Sequence, residues 1–241
     1  MGHYPEIANK IVLVTGAVGG LGTSVVRYFH AEGSTVICVD NRAGRSAETF
    51  SDLDGSRLTY IDNIDVTHPD DVETMCQQAI DTHGRIDVLV NAAGGYRAGD
   101  PVHETSLDTF DFLINLNTKS MFLVSGAVAK RMLDVGNDGR IISIGATGGL
   151  KGGKNSAAYS ASKSALFRII ESMALELKDF GINVNAVYPS IIDTAANREQ
   201  MPKSDFSKWV TPDSLAGVIA FLASDAAKDI TGAAIPVTGR V

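Results

Sequence analysis

Tyr159 and Lys163 stand four residues apart in AAYSASK, a segment of helical pattern, so a phenol and an ammonium share one helix face. A phenol so placed can exchange a proton with a carbonyl or alcohol oxygen, the part of a hydride-transfer reaction that a side chain must supply. The spacing alone is commonplace on helix surfaces, so the chemistry depends on what surrounds it. Thirteen residues before the tyrosine the chain carries Ala146, where enzymes of that type usually place a serine hydroxyl, with Thr147 beside it. Losing one preorganised donor typically costs about 10²- to 10³-fold in rate. Thr147 can supply a hydroxyl in its place if the loop is shifted, although neighbouring side chains on a strand exit usually point apart.

A nucleotide would be held at the other end of the sequence. TGAVGGLG follows the first apolar run and supplies Thr15, Gly16, Gly20, Leu21 and Gly22, with Gly19 as a further glycine. A glycine-rich turn between strand and helix lets the backbone approach a pyrophosphate and aims free N–H groups at it. A tight turn would explain the glycines equally well, but Asp40 closes the second apolar run, about 20 residues on, where an acid is expected to hold a ribose. A carboxylate there accepts both ribose hydroxyls and repels a 2'-phosphate, which favours NAD over NADP. Arg42 and Arg45 follow it and leave NADP open.

These residues need a scaffold. Apolar, β-branched runs recur at 10–15, 34–40, 57–62, 86–91, 140–145, 182–189 and 233–237, near-continuous rather than alternating, as in strands covered on both faces. Helical patterns lie between them at about 20–32, 68–83, 105–135, 155–179 and 212–224. The alternation predicts an α/β fold, a doubly wound parallel seven-stranded sheet of Rossmann type with helices on both faces, as a single domain over 1–241. Thr211-Pro212-Asp213 reads as a helix start, and Gly33 and Gly181 as the ends of helical runs.

Composition narrows the function. The formal charge of −7 and the lack of a basic stripe argue against nucleic acid, and a small-molecule substrate is expected instead. The N-terminal MGHYPEIANK lacks the apolar core of a signal peptide, and no run approaches the length of a membrane span, so a soluble cytoplasmic protein with no membrane partner is expected. Cys38, Cys76 and the histidines at 3, 30, 68, 83 and 103 are scattered and predict no metal site.

In combination, the glycine turn, NAAG at 91–94 and the Tyr159/Lys163 pair resemble the short-chain dehydrogenases/reductases over essentially the whole chain. The resemblance implies an NAD(H)-dependent oxidoreductase that moves hydride between nicotinamide and a carbonyl, alcohol or quinonoid substrate. Tyr159 would be the acid/base, its pKa lowered by Lys163 and an oxidised nicotinamide, and Asn117 would support a proton relay. Cofactor contacts carried over by the resemblance fall on Gly16, Gly20, Leu21, Gly22, Asp40, Asp65, Val66, Asn91, Ala92, Gly94, Tyr159, Lys163, Pro189, Ile192 and Thr194. The family's Pro-Gly turn appears here as Pro189-Ser190. A homo-oligomer, dimer or tetramer, is also implied.

The stretch 193–212, with GGLKG at 148–152, is similar to the dihydropteridine reductases of that family, which share alanine at the serine position and act on a quinonoid ring that accepts hydride readily. Residues of about 190–210 would form a substrate lid, with Met201, Phe206 and Trp209 as its apolar side chains or as packing beneath it. The competing expectation is a non-catalytic NAD(H)-binding sensor module, which explains Ala146 but not the working spacing of Asn117, Tyr159 and Lys163.

Overall fold

The computed structural model describes residues 4–241; His3 lies outside the described residues. Every apolar run forms a strand, and each but the last is followed by helical chain. The order is β1 (Ile11–Thr15), α1 (Gly22–Ala31), β2 (Thr35–Val39), α2 (Arg45–Thr49), β3 (Leu58–Ile61), α3 (Pro69–His83), β4 (Val88–Asn91), α4 (Leu107–Leu113), α5 (Ser120–Val135) and β5 (Gly139–Ile144). It continues with α6 (Thr147–Leu150), α7 (Ala157–Leu177), β6 (Ile182–Pro189), α8 (Ala195–Gln200), α9 (Pro212–Ala223) and β7 (Ala234–Val237). All pairings are parallel, and the seven strands lie in the order β3-β2-β1-β4-β5-β6-β7.

Successive strand residues feed two cores. Val12 and Val14 pack with Val25, Phe29 and Ile219 of α1 and α9, whereas Leu13 packs with Met75, Val128 and Ile170 of α3, α5 and α7. Both faces are therefore apolar, which is why the strands read as unbroken hydrophobic runs. The chain leaves β1 toward β2 on one side, and β4 lies on the other. A crevice opens where the order reverses, at the carboxyl ends of β1 and β4.

The helix signals hold at their joints. Thr211 Oγ1 accepts from the Ser214 N–H at 3.2 Å with Pro212 in the first turn, and Gly33 and Gly181 have φ of +94° and +74°. The expected single helix of 105–135 is instead α4 and α5 joined by a π-helical stretch, Ile114–Lys119. Its wider turn is a local insertion of the kind that marks functional sites, and Asn117 is its one buried residue. By length and composition Leu107–Val135 is long and apolar enough to cross a membrane, a test that a core helix also passes; here 44% of its most apolar window is buried inside the chain. Short helices α2, α6 and α8 escaped the periodicity because four to six residues complete barely one turn.

Candidate active site

Two adjoining cavities fill the crevice. One of about 250 Å³ is walled by Gly16, Asp40, Arg42, Asp65, Val66 and Gly94. The other, of about 660 Å³, is walled by Leu21, Ala146, Thr147, Tyr159, Lys163 and Met201, among others. Ala92, Ala93 and Gly94 line both, so the cavities meet at the end of β4.

Each glycine of the first turn has its own reason. Gly16 has φ of +63°, and a Cβ there would come within 2.9 Å of the Ala93 backbone. That conformation and that approach both require glycine. A Cβ on Gly20 would lie 2.8 Å from Thr194 Cγ2, and one on Gly22 would run into the Gly16 carbonyl oxygen. Gly22 therefore serves the closure of α1 onto the turn and lines neither cavity. A Cβ on Gly94 would fill the space beside Asn117 Oδ1 and Lys163 Nζ, at 3.1 and 3.4 Å. The glycines thus leave an open backbone cradle, and a dinucleotide fits the joined cavities.

Asp40 is buried at the end of β2, 5% exposed, and its Oδ1 accepts from Arg42 Nε at 2.9 Å and from the Arg42 N–H at 3.2 Å. Arg45 is turned away to Glu48, at 2.7 Å. Of the two arginines noted in the sequence, only Arg42 stands at the cavity. Its guanidinium is held above the usual range by the hydrogen bond to Asp40.

Other cofactor expectations divide. Leu21, Asp65, Val66, Ala92, Pro189 and Ile192 stand in the walls. Asn91 does not: its side chain is buried between β4, β5 and α5, where Nδ2 donates to Ser125 Oγ at 2.8 Å and Ser143 Oγ at 3.1 Å. Its amide ties the sheet to α5, because an in-pointing polar residue on a central strand must find partners there. Thr194 lines neither cavity: its hydroxyl caps α8 by accepting from the Asn197 N–H at 3.3 Å, and its methyl lies beside Gly20 of the glycine turn. Ser190, in the place of the turn glycine, has no left-handed backbone and donates to the Thr238 carbonyl at 2.7 Å.

Tyr159 and Lys163 rise from the first turns of α7 into the larger cavity. Lys163 is buried, and its ammonium donates to the Ile144 carbonyl at 2.8 Å, the one partner for its three protons. Burial lowers its pKa to about 8. The expectation that the lysine depresses the phenol is not met in the chain alone: burial first, and Tyr96 second, push Tyr159 up to about 12. The ammonium's hydrogen bond goes to Ile144 and not to the phenol, and desolvation of the phenol prevails.

Asn117 acts on the loop after β4. Its Oδ1 accepts from the Gly95 N–H at 2.9 Å, and its Nδ2 donates to the Gly95 carbonyl at 3.0 Å and Ser162 Oγ at 3.1 Å. With both Nδ2 protons and one Oδ1 lone pair engaged, Asn117 pins Gly95 to α7. Sequence reasoning missed Tyr96, whose ring meets Tyr159 edge-on in the same wall. The signal was available, because residues just beyond β4 stand at the switch point of the sheet. In the stretch expected to form a lid, Met201 lines the cavity with Gln200. Phe206 and Trp209 pack on each other, centroids 4.8 Å apart, beneath it.

A family model for short chain dehydrogenases matches residues 10–205. Meso-2,3-butanediol dehydrogenase of Serratia marcescens is 33% identical over 239 residues, covering 96% of this chain and 94% of its own. Among solved structures, ElxO with NADP bound superposes with a TM-score of 0.89 at 28% identity, covering 96% and 98% of the two chains. NAD+-bound xylitol dehydrogenase superposes with a TM-score of 0.89 at 26% identity, covering 97% and 99%. These relatives are named as dehydrogenases or hold a nicotinamide cofactor of either kind, and nothing in them supports a non-catalytic module. The chain belongs to the short-chain dehydrogenase family of oxidoreductases.

Proposed function

We propose that this protein is an NAD(H)-dependent oxidoreductase that interconverts an uncharged carbonyl or quinonoid compound and its reduced form. The carrying observation is the joined crevice: a buried carboxylate, Asp40, stands at one end, and the Tyr159 phenol with the Lys163 ammonium stands in the wall of the other. Asp40 would hold the ribose hydroxyls, the Gly16 turn the pyrophosphate, and Lys163, with two free N–H groups, the second ribose. The bound nicotinamide supplies or accepts the hydride. Tyr159 donates its O–H proton to the substrate oxygen during reduction and takes it back during oxidation.

Substrate chemistry follows from the wall of the larger cavity. Lys163 is its single lysine or arginine among the described residues, and it is buried; Tyr96, Thr147, Asn197 and Gln200 are uncharged. Such a wall suits a neutral ligand. The quinonoid ring implied by the dihydropteridine reductase resemblance is one such uncharged acceptor. Diols and polyols like those in the relatives' names are the alternative class. Leu107, Phe122 and Leu175 are exposed on α4, α5 and α7 and fit a homo-oligomer, dimer or tetramer. The test is the loss of NADH or NADPH absorbance with quinonoid dihydropterin, quinones, simple ketones and, in reverse, butane-2,3-diol. Preferential turnover with NADH supports the reading, and preference for NADPH overturns the cofactor assignment.

A further inference from the structure

We infer that Thr147 supplies the hydroxyl that position 146 lacks, holding the substrate oxygen while Tyr159 exchanges the proton. The inference rests on the reading of the larger cavity as the place of hydride transfer. An extended chain would turn Thr147 away from Ala146. The chain does not stay extended. Ala146 has φ of −161° and ψ of 153°, but Thr147 opens the single turn α6, and every residue from 144 to 148 contributes to the cavity wall. Ala146 and Thr147 thus face one space, together with Tyr159.

The turn is fixed against the catalytic helix. A Cβ on Gly149 would lie 2.8 Å from the Lys163 backbone, and Ser164 Oγ of α7 donates to the Gly149 carbonyl at 2.7 Å. A Cβ on Gly148 would sit 3.7 Å from the Tyr159 ring. Whatever places Tyr159 and Lys163 therefore places Thr147, which is the rigidity a substrate-orienting donor needs.

Neighbouring hydroxyls are already committed. Ser143 accepts from Asn91, Ser162 donates to the Tyr159 carbonyl at 2.7 Å, and Ser190 donates to Thr238. The Thr147 hydroxyl has no hydrogen-bond partner among the described residues, although the residue is half-buried. Its oxygen is not among the fully buried unpaired polar atoms, so it stays open to the cavity, where a ligand oxygen can accept its hydrogen bond. The hydroxyl donates a hydrogen bond and is not consumed; the transferred proton is that of Tyr159.

The test compares Thr147→Val, Thr147→Ser, and Thr147→Val combined with Ala146→Ser, using NADH and phenanthrenequinone. Thr147→Val, nearly isosteric, is expected to lower kcat/KM at least about tenfold. Thr147→Ser and the Ala146→Ser combination are expected to recover most of that loss. The same ranking is expected in quinone affinity, measured by calorimetry in a Tyr159→Phe background where no turnover consumes the ligand. Unchanged kcat/KM and affinity in Thr147→Val, or equal loss in Thr147→Val and Thr147→Ser, overturns the inference. Undiminished turnover by Tyr159→Phe instead overturns the reading of the site, whatever Thr147 does.

Discussion

The Tyr96 ring stands edge-on to the Tyr159 ring, with centroids 4.8 Å apart and planes at 81°. Tyr96 is 56% exposed, whereas Tyr159 is half-buried in the cavity wall. Asn117 holds Gly95, the residue before Tyr96, by two hydrogen bonds. The π-helical stretch thus reaches the Tyr159 phenol through a loop and an aromatic contact.

Tyr96→Ala should let water reach Tyr159. Its pKa, pushed up to about 12 by burial and by Tyr96, is expected to fall toward the ordinary 10.0. Isotope-labelled tyrosine NMR, assigned with Tyr159→Phe, reads the shift. An unmoved titration would assign the elevation to other neighbours.

Asn117→Ala removes both Gly95 bonds and the Ser162 bond from a buried position. Leaving such groups unpaired costs about 1–3 kcal/mol. Thermal unfolding should fall by several degrees, and quinone turnover should fall more than NADH affinity, because the asparagine positions the loop bearing Tyr96. Equal losses in both would indicate a general collapse of the cleft.

Lys163→Met should stabilise the fold at neutral pH while destroying activity. The buried ammonium titrates at about 8 instead of 10.5, a desolvation cost on the order of 3 kcal/mol, partly offset by the bond to Ile144 that the variant loses. Below pH 8 the lysine is charged in both states, and the folded chain carries the whole cost. Between 8 and 10.5 the folded lysine is neutral while the unfolded one still binds a proton, so native stability rises with pH. The advantage of Lys163→Met, read from chemical denaturation at several pH values, should shrink across that window. A constant difference would contradict the burial argument.

Much of this was legible in the residues. β-branched runs gave the strands, and the Gly16 turn with Asp40 gave one end of the crevice, because backbone geometry at a strand-to-helix turn restricts residue type strongly. The partners of Asn91 and Thr194 were not legible for a different reason: a motif fixes a position in the chain, whereas the direction of its side chain depends on residues such as Ser125 or Asn197 that lie on other elements. The phenol's elevated pKa was hidden likewise, since helical spacing shows that Lys163 is near Tyr159 but not that its proton goes to Ile144. The inward turn of Thr147 required α6, a turn too short to leave a periodic signal.

Arg42→Ala should sharpen cofactor choice. It frees Asp40 Oδ1 for a ribose hydroxyl and removes the cation nearest a 2'-phosphate. The ratio of NADPH to NADH dissociation constants, from fluorescence titration, is expected to rise. A falling ratio would show that Arg42 restrains NADPH rather than admitting it.

The most direct test of the account is the rate of NADH oxidation by Tyr159→Phe, with NADH binding measured on the same protein. The account predicts that turnover of the preferred carbonyl or quinone is abolished while NADH still binds, because the substitution removes only the exchangeable proton. Turnover at the wild-type rate with intact binding would contradict it and place the proton transfer on another group.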